Sequence, residues 1–336
     1  MEPGPPDRDA RCFARAVRLL TEQALALEAR AGAVTAGPAA ARAARRAGAG
    51  WRRVAARELR PGSEACAAFA ELSQVAGWLL FDAGRHPLAN RFCWQARALA
   101  RACGERAVEQ LVLATLSMQA AHLGRPDAAL RLAEAALLDA PRMPARVAAV
   151  FRVRQSRALA LTGQRARALH AAGHARALFL DGPQPGDPAW TWWIDERELA
   201  GHLGLVHAGL GEWSRAVDRL EPAGAAGDLA GPTAFRALFT AELLAAQLHA
   251  GAWHDAARLA ARIAPRAAAI GSGRAAGVLR RSLAPLVARP DAARPVTEAG
   301  AVPGPVREAA HWLSAGLRTP PGDAARMPTE PHEGNT

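Results

Sequence analysis

Apolar residues along this chain recur at helical spacing, and no run alternates apolar with polar residues between turn signals, so the pattern predicts helices and no strand hairpins. Superimposed on it is a Gly followed five positions later by an Ala, each time at a break between two helical segments. The pairs are Gly84/Ala89, Gly124/Ala129, Gly163/Ala168, Gly211/Ala216 and Gly251/Ala256, with Gly-to-Gly intervals of 40, 39, 48 and 40 residues. Twelve residues before each marked Ala stand Gly77, Ser117, Ser156, Gly204 and Leu244, and seven after it stand Ala96, Ala136, Ala175, Ala223 and Ile263. Small side chains at both places let neighbouring helices approach to the short end of the usual ~8 to 10 Å separation. The Gly supplies the open backbone that ends the first helix of each pair. Five helix hairpins follow.

Residues 10–31 and 38–59 predict two more helices, separated by the breaker-rich AGAVTAGP, with residues 1–9 expected to be disordered. These N-terminal helices (10–61) precede a repeat region spanning 62–288. The long interval between the third and fourth units is accounted for by DGPQPGDP at 181–188, where Asp187 reads as an N-cap with Pro188 at the first helical position. Beyond residue 288 the pattern fades except for a short helix at 305–317, and the rest of 289–336 is expected to be disordered. The repeating units resemble the tetratricopeptide repeat, whose small first-helix residue, turn Gly and two second-helix Ala match these positions. The period is longer than the usual ~34 residues, and the first-helix aromatic is mostly replaced. The resemblance implies an all-α, right-handed superhelical solenoid with a concave groove.

Composition supports the helical reading: half the residues are apolar and no Tyr is present, with Ala, Leu and Arg, all strong helix formers, leading. The net charge of +11 comes from 42 basic residues, all of them Arg. Positive charge of this size raises a nucleic-acid partner, but it is concentrated: residues 1–60 hold twelve Arg against six acidic residues. Cys12, Cys66, Cys93 and Cys103 lack the close spacing of zinc or redox motifs and read as reduced core residues. The N-terminus has no signal-peptide pattern, and no window approaches ~18 uninterrupted apolar residues. A cytoplasmic protein with no membrane partner is expected.

Two segments carry a more specific resemblance: ELSQVAGWLLFDAGRHPLANRFCWQARALARACGE from Glu71 to Glu105, and DPAWTWWIDERELAGHLGLVHAGLGEWSRA from Asp187 to Ala216. With LATLSMQAAHLGRPDAALRLAEAAL between them, they resemble the C-terminal sensor region of actinobacterial regulators whose N-terminus is an XRE-type helix-turn-helix. No pattern of two short helices joined by a tight Gly turn fits residues 1–60, so the resemblance implies a regulatory sensor or partner-binding half, with direct sequence-specific DNA binding not expected of this segment. Its partner would be a protein, a peptide or a small signal molecule, with a homodimer also allowed.

Three groups of residues are candidates for function. Trp78, Asp82, Arg85 and His86 sit at the end of the first repeat's first helix, where Asp82 and Arg85 would line the groove and Trp78 would stack on a guest. Trp190, Trp193, Asp195, Glu198 and His202 form the richest cluster. Trp190 and Trp193 share a helical face and Trp192 points elsewhere, so one aromatic should be exposed, and Glu198 and His202 are placed to pair at i,i+4. Arg42, Arg45, Arg46, Arg53 and Arg57 fall near one helical face and would serve the alternative reading, a nucleic-acid-associated regulator. Against each stands a purely structural role as core, helix end or solvated face. His170 and His174 have metal-ligand spacing but no third ligand, so no metal site is expected. No nucleophile elbow, phosphate loop or zinc-peptidase motif is present, so neither an enzyme nor a cofactor is expected.

Overall fold

The computed structural model describes residues 5–224, 236–287, 296–297 and 300–318. It is all-helical apart from a minimal antiparallel pair, Val296–Thr297 with Gly300–Ala301. The first element, α1 (Pro5–Glu58), is one helical run broken by a kink at Gly32 (φ 69°, ψ 171°) into two limbs. The next ten helices form five hairpins: α2 (Glu64–Asp82) with α3 (His86–Cys103), α4 (Arg106–His122) with α5 (Pro126–Leu137), and α6 (Ala145–Leu161) with α7 (Arg165–Leu180). They continue as α8 (Glu196–Gly209) with α9 (Trp213–Leu220), and α10 (Ala237–Ala250) with α11 (Trp253–Ile263). Two helices, α12 (Gly273–Val287) and α13 (Gly304–Gly316), complete the described chain.

Each hairpin turns the same way for the same reason. Gly84, Gly124, Gly163, Gly211 and Gly251 all take φ between 70° and 76°, a left-handed conformation that costs a residue with a Cβ about 1 kcal/mol or more. The residue after each Gly donates its amide to the carbonyl five positions earlier, as Arg85 does to Leu80 at 2.8 Å and Glu212 to His207 at 3.0 Å, so every first helix ends in a Schellman closure. The five marked Ala (Ala89, Ala129, Ala168, Ala216 and Ala256) are all fully buried. Opposite them, a Cβ on Gly77 would lie 2.6 Å from the Cys93 sulfur, and one on Gly204 would lie 2.5 Å from Leu220. Ser117 and Ser156 instead use their hydroxyls, donating across the hairpin to the carbonyls of Ala129 (2.8 Å) and Ala168 (2.9 Å). The last unit departs from the rule: Leu244 and Ile263 are both buried, and the hairpin is retained around two large side chains.

The structure corrects the reading of the N-terminal segment. Helix begins at Pro5, inside the stretch expected to be disordered, and the break expected in AGAVTAGP is confined to Gly32, after which helix resumes through Gly37 and Pro38. Gly37 is there for close approach: a Cβ on it would lie 2.9 Å from the Leu79 carbonyl of α2, and Ala33, Ala36, Ala40, Ala41 and Ala44 are buried along the same limb. Cys66, Cys93 and Cys103 are buried, whereas Cys12 is exposed. Asp187 does not cap a helix; its carboxylate accepts from the Gln184 amide at 2.8 Å, and a 3-10 turn, Ala189–Trp193, follows. The cap of α8 is Asp195, which accepts from the Glu198 amide at 2.8 Å.

The C-terminal helices are part of the same body. On α13, Val306, Ala310 and Leu313 are buried in a core shared with α10, α11 and α12. The segment before α12 then returns to the start of the chain. Val34 donates to the Gly271 carbonyl at 2.9 Å, and Gly32 and Gly271 meet backbone to backbone, with a Cβ on Gly271 lying 2.6 Å from Gly32 Cα. The expected tail from Thr319 onward, like the remaining stretches, lies outside the described residues.

The buried Ala positions have no room for a larger side chain. Ala129→Trp and Ala216→Trp are each expected to lower unfolding free energy by about 1 to 3 kcal/mol or more, checked by urea denaturation followed by circular dichroism; unchanged midpoints in both would remove the hairpin contacts assigned here.

Candidate functional site

The residues at the end of α2 meet a partner far along the chain. Asp82 is almost completely buried and binds Arg274, whose Nε donates to its Oδ1 at 2.9 Å, while the Ser272 hydroxyl donates to the same oxygen at 2.9 Å. The Arg274 guanidinium lies 4.3 Å from the centre of the Phe81 ring and 5.2 Å from that of Trp78, with Met118 Sδ at 3.9 Å. A carboxylate, two aromatic faces and a thioether thus enclose one cation, the combination that favours a desolvated guanidinium. The place where a guest was expected is therefore taken by the chain itself: the first turn of α12 supplies Arg274. Arg85 is exposed and takes no part. His86 does not terminate α2 but opens α3, its ring 5.7 Å from Phe81 and 5.6 Å from His122.

Around Arg274 the first helices of the hairpins contribute a polar interior that sequence spacing did not bring together. Burial, reinforced by Arg274 and by neighbouring cations, pushes the His122 imidazole down to about 3 and lowers His86. Glu242 on α10 is raised by burial despite facing Arg157, and Arg157 donates to the Leu205 carbonyl. Glu28, from the first limb of α1, is raised to about 7 by burial and by the charge of Asp82. Desolvation disfavours the charged form of each group, so burial favours the neutral imidazole at His86 and His122 beside the arginines.

The second cluster assembles around α8. Trp190 and Trp193 stack with ring centres 6.4 Å apart, on a 3-10 turn and not on the expected α-helix. The Trp190 indole donates to the Ala107 carbonyl at 2.9 Å, which ties the turn to α4, and Trp192 is 76% exposed. Glu198 and His202 do pair, Oε1 to Nε2 at 3.2 Å, and Arg154 Nη1 lies over the ring, 3.2 Å from Nε2 and 3.4 Å from Nδ1. Burial, and then the charge of Arg154, lowers the His202 imidazole, which Glu198 partly offsets. Burial lowers Arg154 to about 10. Asp195 meets Arg236 at 2.5 Å. The cavity bounded by Val153, Arg154, Phe179, Trp193, Glu198 and His202 encloses about 20 Å³, room for one water.

Arg42, Arg45, Arg46, Arg53 and Arg57 are all exposed on the second limb of α1, away from both clusters. Among the described residues no group of three or more His, Cys, Asp or Glu side chains is placed to hold a metal, and no helix is long and apolar enough to cross a membrane.

No family model, curated protein or solved structure matches the chain.

Sequence reasoning missed Arg274, Arg154 and Arg236. The signal for Arg274 was a cation on the otherwise apolar stripe of α12, Ala275, Val278, Leu279, Leu283 and Leu286, all buried. An arginine there needs a buried acid, which the sequence could not locate 192 residues away.

Removing either partner leaves a buried charge without compensation, so Arg274→Ala and Asp82→Asn are each expected to cost about 3 to 5 kcal/mol, and the double variant less than their sum. Chemical denaturation of the four proteins measures the coupling; strict additivity would show that the pair does not interact. A second expectation concerns acid. The folded-state pKa of His122, about 3, lies below its ordinary 6.5, so the folded state binds fewer protons than the unfolded chain between those values. Its contribution is fully present above pH 6.5 and is lost as pH falls toward about 3. His122→Asn should flatten the fall in melting temperature over that window, and an unchanged slope would rule out His122 as its source.

Proposed function

We propose that this chain is a regulatory interaction scaffold and not an enzyme, with tetratricopeptide-like hairpins coiled into a right-handed superhelix whose first-helix face receives an arginine-bearing segment of a partner protein. The observation that carries the reading is the cradle of Asp82, Trp78, Phe81 and Met118 around a guanidinium. Its occupant is Arg274 of the same chain, so a partner's arginine would bind by exchange. That exchange would free the turn at Gly271 from its contact with Val34 and so uncouple α12 from the kink of α1. A scaffold with two such arrangements, biased by a ligand that fits only one, is a sensor in the thermodynamic sense. The resemblance to the sensor half of XRE-type regulators agrees with this role. The water-sized cavity beside His202 favours a peptide over a small signal molecule enclosed there.

The test uses a synthetic peptide with the sequence of residues 270–281 and its Arg274→Ala counterpart. The Arg274→Ala protein should be stabilised by the arginine peptide, its melting temperature rising with concentration. It should bind that peptide more than about tenfold tighter than wild type, whose own residue competes. The Asp82→Asn/Arg274→Ala protein should not respond. If the alanine peptide stabilises as well as the arginine peptide, the cradle does not select a guanidinium and the proposed recognition is wrong.

A further inference from the structure

The second limb of α1 gathers arginines in a stretch that holds no acidic residue. Elsewhere several arginines at the surface meet acids: Arg97 and Arg101 share Glu109, Arg165 and Arg215 share Glu212, and Arg258 pairs with Asp255. From residue 29 to residue 57 the sequence contains no Asp or Glu. Arg42, Arg45, Arg46, Arg52, Arg53 and Arg57 all lie exposed on this limb, and none forms an ion pair with an acidic side chain among the described residues. A solvated face with no other task normally intersperses both signs.

The geometry of the limb orders this charge. At 3.6 residues per turn Arg42, Arg46, Arg53 and Arg57 fall within about 60° of one another and extend over about 22 Å of helix. They stand opposite Ala40, Ala44 and Ala47, which are buried toward α2. Between the arginines the exposed residues are Ala49 and Ala56, so no bulky side chain keeps a rigid anionic surface at a distance. The aromatic residues of α1 are engaged elsewhere: Phe13, Trp51 and Phe69 of α2 pack together with ring centres 5.6 to 6.1 Å apart. No exposed ring stands among the arginines for an unpaired base to stack on, which argues for a duplex and against a single strand. Asp9 and Glu58 mark the end of the basic stripe, where with Phe13, Arg53 and Arg57 they line a cleft of about 300 Å³.

We infer that the second limb of α1 is a docking face for the phosphate backbone of a nucleic-acid duplex, bound without regard to base sequence. A straight row of guanidinium groups on a flat alanine surface matches a row of phosphates, and nothing on the limb is positioned to read base edges. This face is separate from the Asp82 cradle, so the two proposals stand or fall independently.

The experiment is fluorescence anisotropy of the full chain with two short duplexes of unrelated sequence, between about 50 and 200 mM salt. The first variant is Arg42→Gln/Arg46→Gln/Arg53→Gln/Arg57→Gln. The control, Arg131→Gln/Arg176→Gln/Arg219→Gln/Arg262→Gln, removes the same charge from exposed sites on other helices. The α1 variant should weaken both duplexes equally, by more than about tenfold, and reduce the slope of log K against log salt by about 3 to 4. The control should stay within about twofold of wild type, and an all-lysine version of the four α1 positions should retain most of the binding, which separates lost charge from lost folding. Equal weakening in the α1 variant and the control would reduce the effect to net charge and overturn the proposal. So would a wild-type chain that ignores both duplexes, or one that binds phosphatidylserine vesicles through these arginines and duplexes without them.

Discussion

Close approach of helix backbones is the constraint from which the rest of this structure follows. In four of the five hairpins glycine or serine faces alanine where the two helices cross, and a left-handed glycine closes every turn, so these hairpins are narrow and their geometry is repeated. Narrow hairpins bury little apolar area per residue when isolated, because an alanine contributes far less transfer free energy than a leucine. Stability then has to come from stacking one unit on the next. The continuous apolar clusters from α1 to α3 and from α8 to α13 are the outcome.

The start of α12 meets α2 and the kink of α1, and the contact made with α2 is polar. Arg274 enters the first-helix face with its charge matched by Asp82 and its flat surface covered by Phe81 and Trp78. Ion pairs at this depth gain little net stability over an apolar core of equal volume, but they penalise any packing that separates the partners. The pair therefore serves register more than strength. It fixes which part of α12 meets α2 and, through the meeting of Gly32 and Gly271, where α1 bends.

The distribution of charge divides the molecule. Inside, arginines face a few carboxylates, and burial lowers His86, His122 and His202. On the second limb of α1, by contrast, positive charge is neither matched nor buried. These are two uses of one residue type. Arginine's broad hydrocarbon and weakly hydrated head suit the interior, and its fixed charge and donor fork suit an anionic surface.

The sequence by itself determined the helical class, the five turns and four small-residue crossings, because each depends on backbone freedom or side-chain volume at positions close along the chain. The pairing of Glu198 with His202 was legible for the same reason, one helical turn being a local distance. Tertiary structure alone decided the rest. Gly37 looked like a breaker until the Leu79 carbonyl appeared beside it, and Trp190 and Trp193 looked helical although Asp195, two residues beyond them, is the actual cap. The occupant of the Asp82 site could not be read from the sequence at all. An ion pair across 192 residues depends on how far five stacked hairpins turn, which is a sum of small packing angles that no local pattern encodes.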